Sequence, residues 1–218
     1  YNPVFNSLED YNNIVIEGNI GIGKTSLAKK LSKNLNKNLI LEGFIDNPFL
    51  EKFYQDSKRY ALNLELTFLV DRCRQLNDYK NQLDIFKTGV VFDYDIVKSL
   101  IFAGVTLNEN DFNLYRNIFY FMTKDLLKPN LIIFLMQSPE NLLLNIEKRG
   151  RYFEKNIKKD YLKKINQAYI KSLKSKNDWN ILFIDVSDID FVENDSDYLE
   201  LLFRIKDGLA QSVVKLPD

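Results

Sequence analysis

The sequence predicts an α/β fold, a five-stranded parallel sheet with helices on both faces, and three observations predict it. Short apolar, β-branched runs recur at residues 14–17, 38–42, 90–93, 131–136 and 181–185. They are largely apolar throughout rather than alternating, which is the pattern of strands covered on both sides. Between them lie segments of helical spacing, and the first run leads through a glycine-rich turn into a helix.

Residues 1–11 are polar and read as a lead-in arm before Asn12-Asn13. The first strand then enters Gly18-Asn19-Ile20-Gly21-Ile22-Gly23-Lys24-Thr25-Ser26, which is G-x-x-x-x-G-K-T between a strand and a helix. Glycines there let backbone N–H groups converge on a phosphate without a Cβ in the way, and the helix N-terminus adds positive potential. Lys24 is placed to reach the β- and γ-phosphates and Thr25 to ligate Mg²⁺, so a nucleoside triphosphate such as ATP is the expected ligand.

The second strand ends at Glu42, before Asn47-Pro48-Phe49-Leu50. A carboxylate beside a phosphate loop can accept a proton from a hydroxyl attacking a γ-phosphate. From this stretch alone, an ordinary acid at a strand end is the favoured reading. Leu62, Leu66, Leu69, Cys73 and Leu76 then mark a long helix, on which Glu65, Phe68 and Arg72 share a face. The third strand ends at Asp93, and Tyr115, Ile118, Phe119 and Met122 mark another helix. After the fourth strand, Arg149-Gly150-Arg151 places two cations around a glycine, three residues before Glu154. Arginines on such a segment can close over a triphosphate or simply solvate a helix end. The fifth strand ends at Asp185. Right-handed crossovers would set Glu42, Asp93 and Asp185 along one sheet edge, level with the phosphate loop.

Composition narrows the chemistry. Among 218 residues, Lys+Arg and Asp+Glu are equal at 30 each, without the basic excess of a protein that binds a nucleic acid polymer. No histidine is present, so histidine triads are excluded and a general base must be a carboxylate. Cys73 is the only cysteine, which excludes an intramolecular disulfide and a cysteine metal cluster. No signal peptide and no apolar run near 18 residues is seen, so no membrane span is expected and the cytoplasm is the expected compartment. The chain starts at Tyr1 rather than methionine and reads as trimmed or as part of a longer protein. With no repeat, linker or composition break, residues 1–218 are expected to form one domain.

Taken together, these motifs resemble the deoxynucleoside kinase family over about residues 14–191, with the markers in order and at matching spacing. The resemblance implies a three-layer P-loop kinase fold with an arginine-bearing lid. It also implies transfer of a phosphoryl group from Mg²⁺-ATP to the 5′-hydroxyl of a deoxynucleoside, in nucleotide salvage. It assigns Glu42 as general base, with Lys24, Arg149 and Arg151 stabilising the transferring group. Tyr54 and Glu154 match the residues that hold the 3′-hydroxyl. Glu65, Phe68, Arg72 and Phe102 fall in the base pocket, Asp93 holds Mg²⁺ through water, and Asp190-Phe191 lies in the loop that cradles adenine. Pairing through the long helices is implied too, as a homodimer or with a different partner chain.

Five positions depart from the family pattern. Tyr94 stands where an arginine commonly contacts the substrate's 5′-oxygen, and it brings no charge. Glu65 replaces a glutamine; an ionised carboxylate only accepts hydrogen bonds, which favours adenine or cytosine with their exocyclic amines. Ser99 replaces an acid, Gly43 removes a side chain beside the proposed base, and Asn145 replaces a further lid arginine. An active deoxynucleoside kinase and a catalytically weakened ATP-binding partner subunit both fit. A thymidylate kinase-type enzyme would need more positive charge around its acceptor, and the guanine-specificity motif of a regulatory GTPase is missing.

Overall fold

The computed structural model describes residues 3–43, 47–82, 89–126 and 128–213. Five parallel strands form one sheet in the order β2-β3-β1-β4-β5. They are β1 (Asn13–Gly18), β2 (Asn38–Ile40), β3 (Val90–Phe92), β4 (Leu131–Met136) and β5 (Ile181–Asp185). The phosphate-loop strand is therefore central, with Ile14 beside Val91 on one side and Leu131 on the other. The second strand is shorter than its apolar run suggested, so Glu42 lies two residues beyond β2.

Period-two alternation divides the strand side chains between two cores. Ile14, Ile16, Ile133 and Leu135 face α2 (Lys24–Asn34), α7 (Pro139–Arg149) and α9 (Asp195–Val213). Val15, Phe92, Ile132 and Phe134 face α5 (Lys98–Thr106) and α8 (Lys159–Lys174). The leucine and Cys73 periodicity becomes α4 (Ser57–Gln82), preceded by α3 (Leu50–Gln55), and the Tyr115–Phe119 pattern becomes α6 (Glu109–Thr123). Leu69, Cys73, Ala103, Tyr115 and Phe119 join α4, α5 and α6 in a satellite core.

Where a lead-in arm was expected, Pro3–Glu9 forms α1, which packs against α9. Its Leu8 is fully buried, worth about 1.5–3 kcal/mol of transfer free energy. Ser138 and Asn108 cap α7 and α6, each accepting a backbone N–H three residues on. Gly150 ends α7 in the left-handed conformation, φ 70°, which turns the chain sharply between the two lid arginines. No helix among the described residues is long and apolar enough to cross a membrane.

Candidate active site

The carboxyl ends of β1 and β3, together with Glu42 just beyond β2, meet the N-terminus of α2. Gly23 precedes α2 with φ 96°, and a Cβ there would lie 2.8 Å from the Phe191 ring, so only glycine fits. Lys24 folds back to donate from Nζ to the Asn19 carbonyl at 2.9 Å. Burial, and then the neighbouring Lys98, lower its pKa to about 8 against the pull of Glu17, Glu42 and Asp93. Thr25 Oγ1 donates to Asp93 Oδ2 at 2.5 Å, while Asp93 Oδ1 accepts the backbone N–H of Glu42 at 2.7 Å. A hydroxyl beside a buried carboxylate suits Mg²⁺, which takes few protein oxygens and completes its shell with water and phosphate.

Glu42 is held by two buried cations. Arg72, from α4, donates Nε at 2.9 Å and Nη2 at 2.5 Å to Oε1, and Lys98, from α5, approaches Oε2 at 2.5 Å. Burial favours the neutral acid, but Lys98 and Arg72 outweigh it and hold the Glu42 pKa at about 2. Arg72 Nη1 also donates to Ser99 Oγ at 2.7 Å, so the residue found where an acid was expected supports the arginine.

A single cavity runs from this carboxylate to the lid. It is lined by Lys24, Thr25, Glu42, Asp93, Tyr54, Glu65, Phe68, Arg72, Phe102, Arg149, Arg151 and Glu154, with Ile20 and Gly21 at the loop. Most of the sequence-predicted residues are thus brought together. Glu65 is buried, with Thr106 Oγ1 3.0 Å from its Oε1. Burial raises its pKa to about 7, opposed by Arg72 and the Thr106 contact. At the far end Arg149 Nη2 lies 2.6 Å and Arg151 Nη1 3.5 Å from the Glu154 carboxylate, so the two arginines converge on one acid. The Tyr54 hydroxyl is kept protonated by burial and by nearby Glu154.

A second opening on the other side of the loop is lined by Gly21, Ile22, Gly23, Lys24, Thr25, Ser26, Asp190 and Phe191, and it too reaches Arg149 and Arg151. The structure places several of the expected residues more specifically. Gly18 and Asn19 line neither space. Asn19 is fully buried, and its amide ties the loop to α8 through the Leu162 carbonyl at 2.8 Å and Asn166 at 2.6 Å. Phe191 is buried against Gly23, so the exposed face of its loop is carried by Asp190, Val192 and Glu193. Asp185 ends edge strand β5 at the carboxyl edge of the sheet, as expected, but it is exposed, accepts the Ser187 N–H, and has β1 and β4 between its strand and that of Asp93. Asn145 bridges the lid helix to the loop, donating to the Gly21 carbonyl at 3.0 Å.

Sequence reasoning missed Lys98 and Glu17. Lys98 was detectable: it lies one helical turn before Phe102, which had been assigned to the pocket, and its Nζ sits 5.4 Å from that ring. Glu17 is a buried acid under the loop, accepting from Tyr169 OH at 2.9 Å and the Asp95 N–H at 2.7 Å. Tyr94, placed where a charge was looked for, turns instead to donate to Gln75 at 2.9 Å.

A family model described as deoxynucleoside kinase matches residues 14–209. Deoxyguanosine kinase of Bacillus subtilis is 40% identical over 198 residues, covering 89% of this chain and 96% of the relative. Deoxyadenosine/deoxycytidine kinase of the same organism is 32% identical, covering 92% of each. Among solved structures, deoxyadenosine kinase from M. mycoides with bound dATP superposes with a TM-score of 0.75 at 24% identity, over 88% of this chain and 97% of that one, which speaks for the fold.

Proposed function

Because the chain belongs to the deoxynucleoside kinase family, and is therefore a phosphotransferase, we propose that it transfers the γ-phosphoryl group of ATP to the 5′-hydroxyl of a deoxynucleoside. The observation that carries this reading is the shared cavity in which the Glu42 carboxylate and the Lys24 ammonium face the same space. In that space Glu42 accepts the hydroxyl proton as the oxygen attacks. Lys24, Arg149 and Arg151 balance charge on the transferring group, and the loop amides orient it. Thr25 and Asp93 would hold Mg²⁺, which when bound neutralises the phosphate oxygens. Tyr54 and Glu154 take the sugar 3′-hydroxyl, and Phe68 and Phe102 flank the base.

Glu65 reads the base edge. As an acceptor it favours a base with an exocyclic amine. Adenine and cytosine carry such an amine, and so does guanine, which presents it beside an N–H. The similarity to a deoxyguanosine kinase supports including it. Deoxyadenosine, deoxycytidine and deoxyguanosine are thus the proposed acceptors, with thymidine disfavoured.

We further read the chain as cytoplasmic and as pairing with a second copy or a different chain, a reading supported by exposed Leu114 and Phe121 on α6 and Val70 on α4. Supplying purified protein with Mg²⁺-ATP and each of the four deoxynucleosides, and separately their 5′-monophosphates, tests the reaction. Product from the nucleosides alone is expected. Product only from monophosphates would mark a thymidylate kinase-type enzyme, and ATP binding without product would mark a partner subunit.

A further inference from the structure

We propose that Lys98 is the positioning residue that fixes the orientation of the Glu42 carboxylate and aims its Oε2 at the acceptor hydroxyl; the proposal rests on the kinase reading above. Among the described residues, the two carboxylate oxygens are unequally occupied. Oε1 takes two N–H groups from Arg72, whereas Oε2 has one partner, Lys98 Nζ at 2.5 Å. The free lone pair that can accept a hydroxyl hydrogen therefore sits on Oε2, beside the ammonium.

Both cations are buried, Lys98 at 7% and Arg72 at 4% exposure, so neither is a surface charge that happens to lie nearby. A buried carboxylate with one partner removed is strongly penalised, and the two cations act as a clamp on it. Tyr94, next to Asp93 at the end of β3, is a neutral phenol that supplies no charge, and its hydroxyl donates to Gln75. Lys98 sits in the first turn of α5, and its ammonium also lies 5.4 Å from the Phe102 ring, which fixes its direction into the cavity.

The chemistry balances on these atoms. The 5′-oxygen forms a bond to phosphorus as the bond from phosphorus to the leaving diphosphate oxygen breaks, and the hydroxyl proton passes to Oε2. Two adjacent cations fix the direction of the Glu42 carboxylate toward the arriving hydroxyl. They also place positive charge beside the oxygen on which negative charge develops. The other titratable or charged groups around Glu42 are Lys24 from the loop, Asp93 and Tyr94 after β3, Glu65 on α4 and Tyr169 on α8.

The test compares wild type with Lys98→Met and Lys98→Arg, and uses Lys98→Gln as a second charge-removing variant in case the methionine protein does not fold. Two readouts are taken. In crystal structures of the ligand-free proteins, the Glu42 carboxylate should keep its wild-type orientation in Lys98→Arg and leave it in Lys98→Met or Lys98→Gln. In turnover with the preferred deoxynucleoside, kcat should fall about 10²-fold without Lys98 and recover with arginine, while KM for ATP stays within about twofold. A Glu42 carboxylate unmoved without Lys98 overturns the inference whatever happens to rate. So does a displaced carboxylate with kcat within threefold of wild type. Absence of turnover in the wild type instead counts against the kinase reading, and the structures still decide the Lys98–Glu42 coupling.

Discussion

Asp93 holds Glu42 by its backbone: the Glu42 N–H donates to Asp93 Oδ1 at 2.7 Å, while the other oxygen of the same carboxylate takes the Thr25 hydroxyl at 2.5 Å. One acid thus couples the proposed base, the phosphate loop and the expected metal position. Asp93→Asn keeps an acceptor for Glu42 but loses the charge. Turnover should fall about 10–100-fold and recover partly as Mg²⁺ is raised. A steady-state Mg²⁺ titration checks this; an unchanged Mg²⁺ requirement would show that Asp93 does not serve the metal.

The sugar end of the cavity predicts a split between KM and kcat. Tyr54→Phe removes one hydroxyl from a pocket that also holds Glu154. A single hydrogen bond of about 0.5–1.5 kcal/mol corresponds to a rise of roughly two- to tenfold in KM for the deoxynucleoside, with little change in KM for ATP. A 2′,3′-dideoxynucleoside should be insensitive to the substitution, because it has no 3′-hydroxyl to lose. Equal sensitivity of both acceptors would place Tyr54 elsewhere.

Glu65 ties base choice to pH. Its pKa is raised to about 7 by burial, so it is a carboxylic acid below that value, able to donate and accept, and an acceptor above it. Thymidine, the poorest proposed acceptor, should gain relative to deoxyadenosine in Glu65→Gln and, in wild type, as pH drops from 8 to 6. Stability carries the same signature. Since the folded protein holds a proton that the unfolded chain releases near 4.5, stability should decline as pH rises from about 4.5 to 7. Asp95, raised to about 7 by burial, contributes in the same direction. Thermal unfolding of Glu65→Gln should show a shallower decline than wild type over that window.

Lys24 predicts proton uptake with ATP. Burial and Lys98 lower its pKa to about 8 in the ligand-free protein, and bound phosphates favour the charged form. ATP affinity should therefore weaken as pH rises above about 8, with net proton uptake on binding there. Calorimetry in two buffers of different ionisation enthalpy measures that uptake; none at pH 8.5 would contradict the lowered pKa.

The sheet was legible because its strands are buried on both faces and so carry long apolar runs; β4 and β5 match their runs end to end. Strand order was not, because parallel pairing leaves no local turn signal. The phosphate loop was readable from glycine placement and Lys24-Thr25 alone. The role of Asn19 was not, since its partners Leu162 and Asn166 lie more than a hundred residues away in sequence. The same distance hid the tie between Glu17 and Tyr169. Tyr94 drew attention as a missing charge, but the cation that contacts Glu42 Oε2 comes from the next helix, where Lys98 escaped notice because a lone lysine in a helix usually faces solvent.

The central claim is that Glu42 receives the acceptor's proton, and single-turnover phosphoryl transfer by Glu42→Gln addresses it most directly, with folding checked by thermal melting and ATP binding measured separately. Loss of the carboxylate should slow transfer by about 10²–10⁴-fold while ATP affinity stays within a few-fold of wild type. Transfer at the wild-type rate in a folded, ATP-binding Glu42→Gln protein would contradict it.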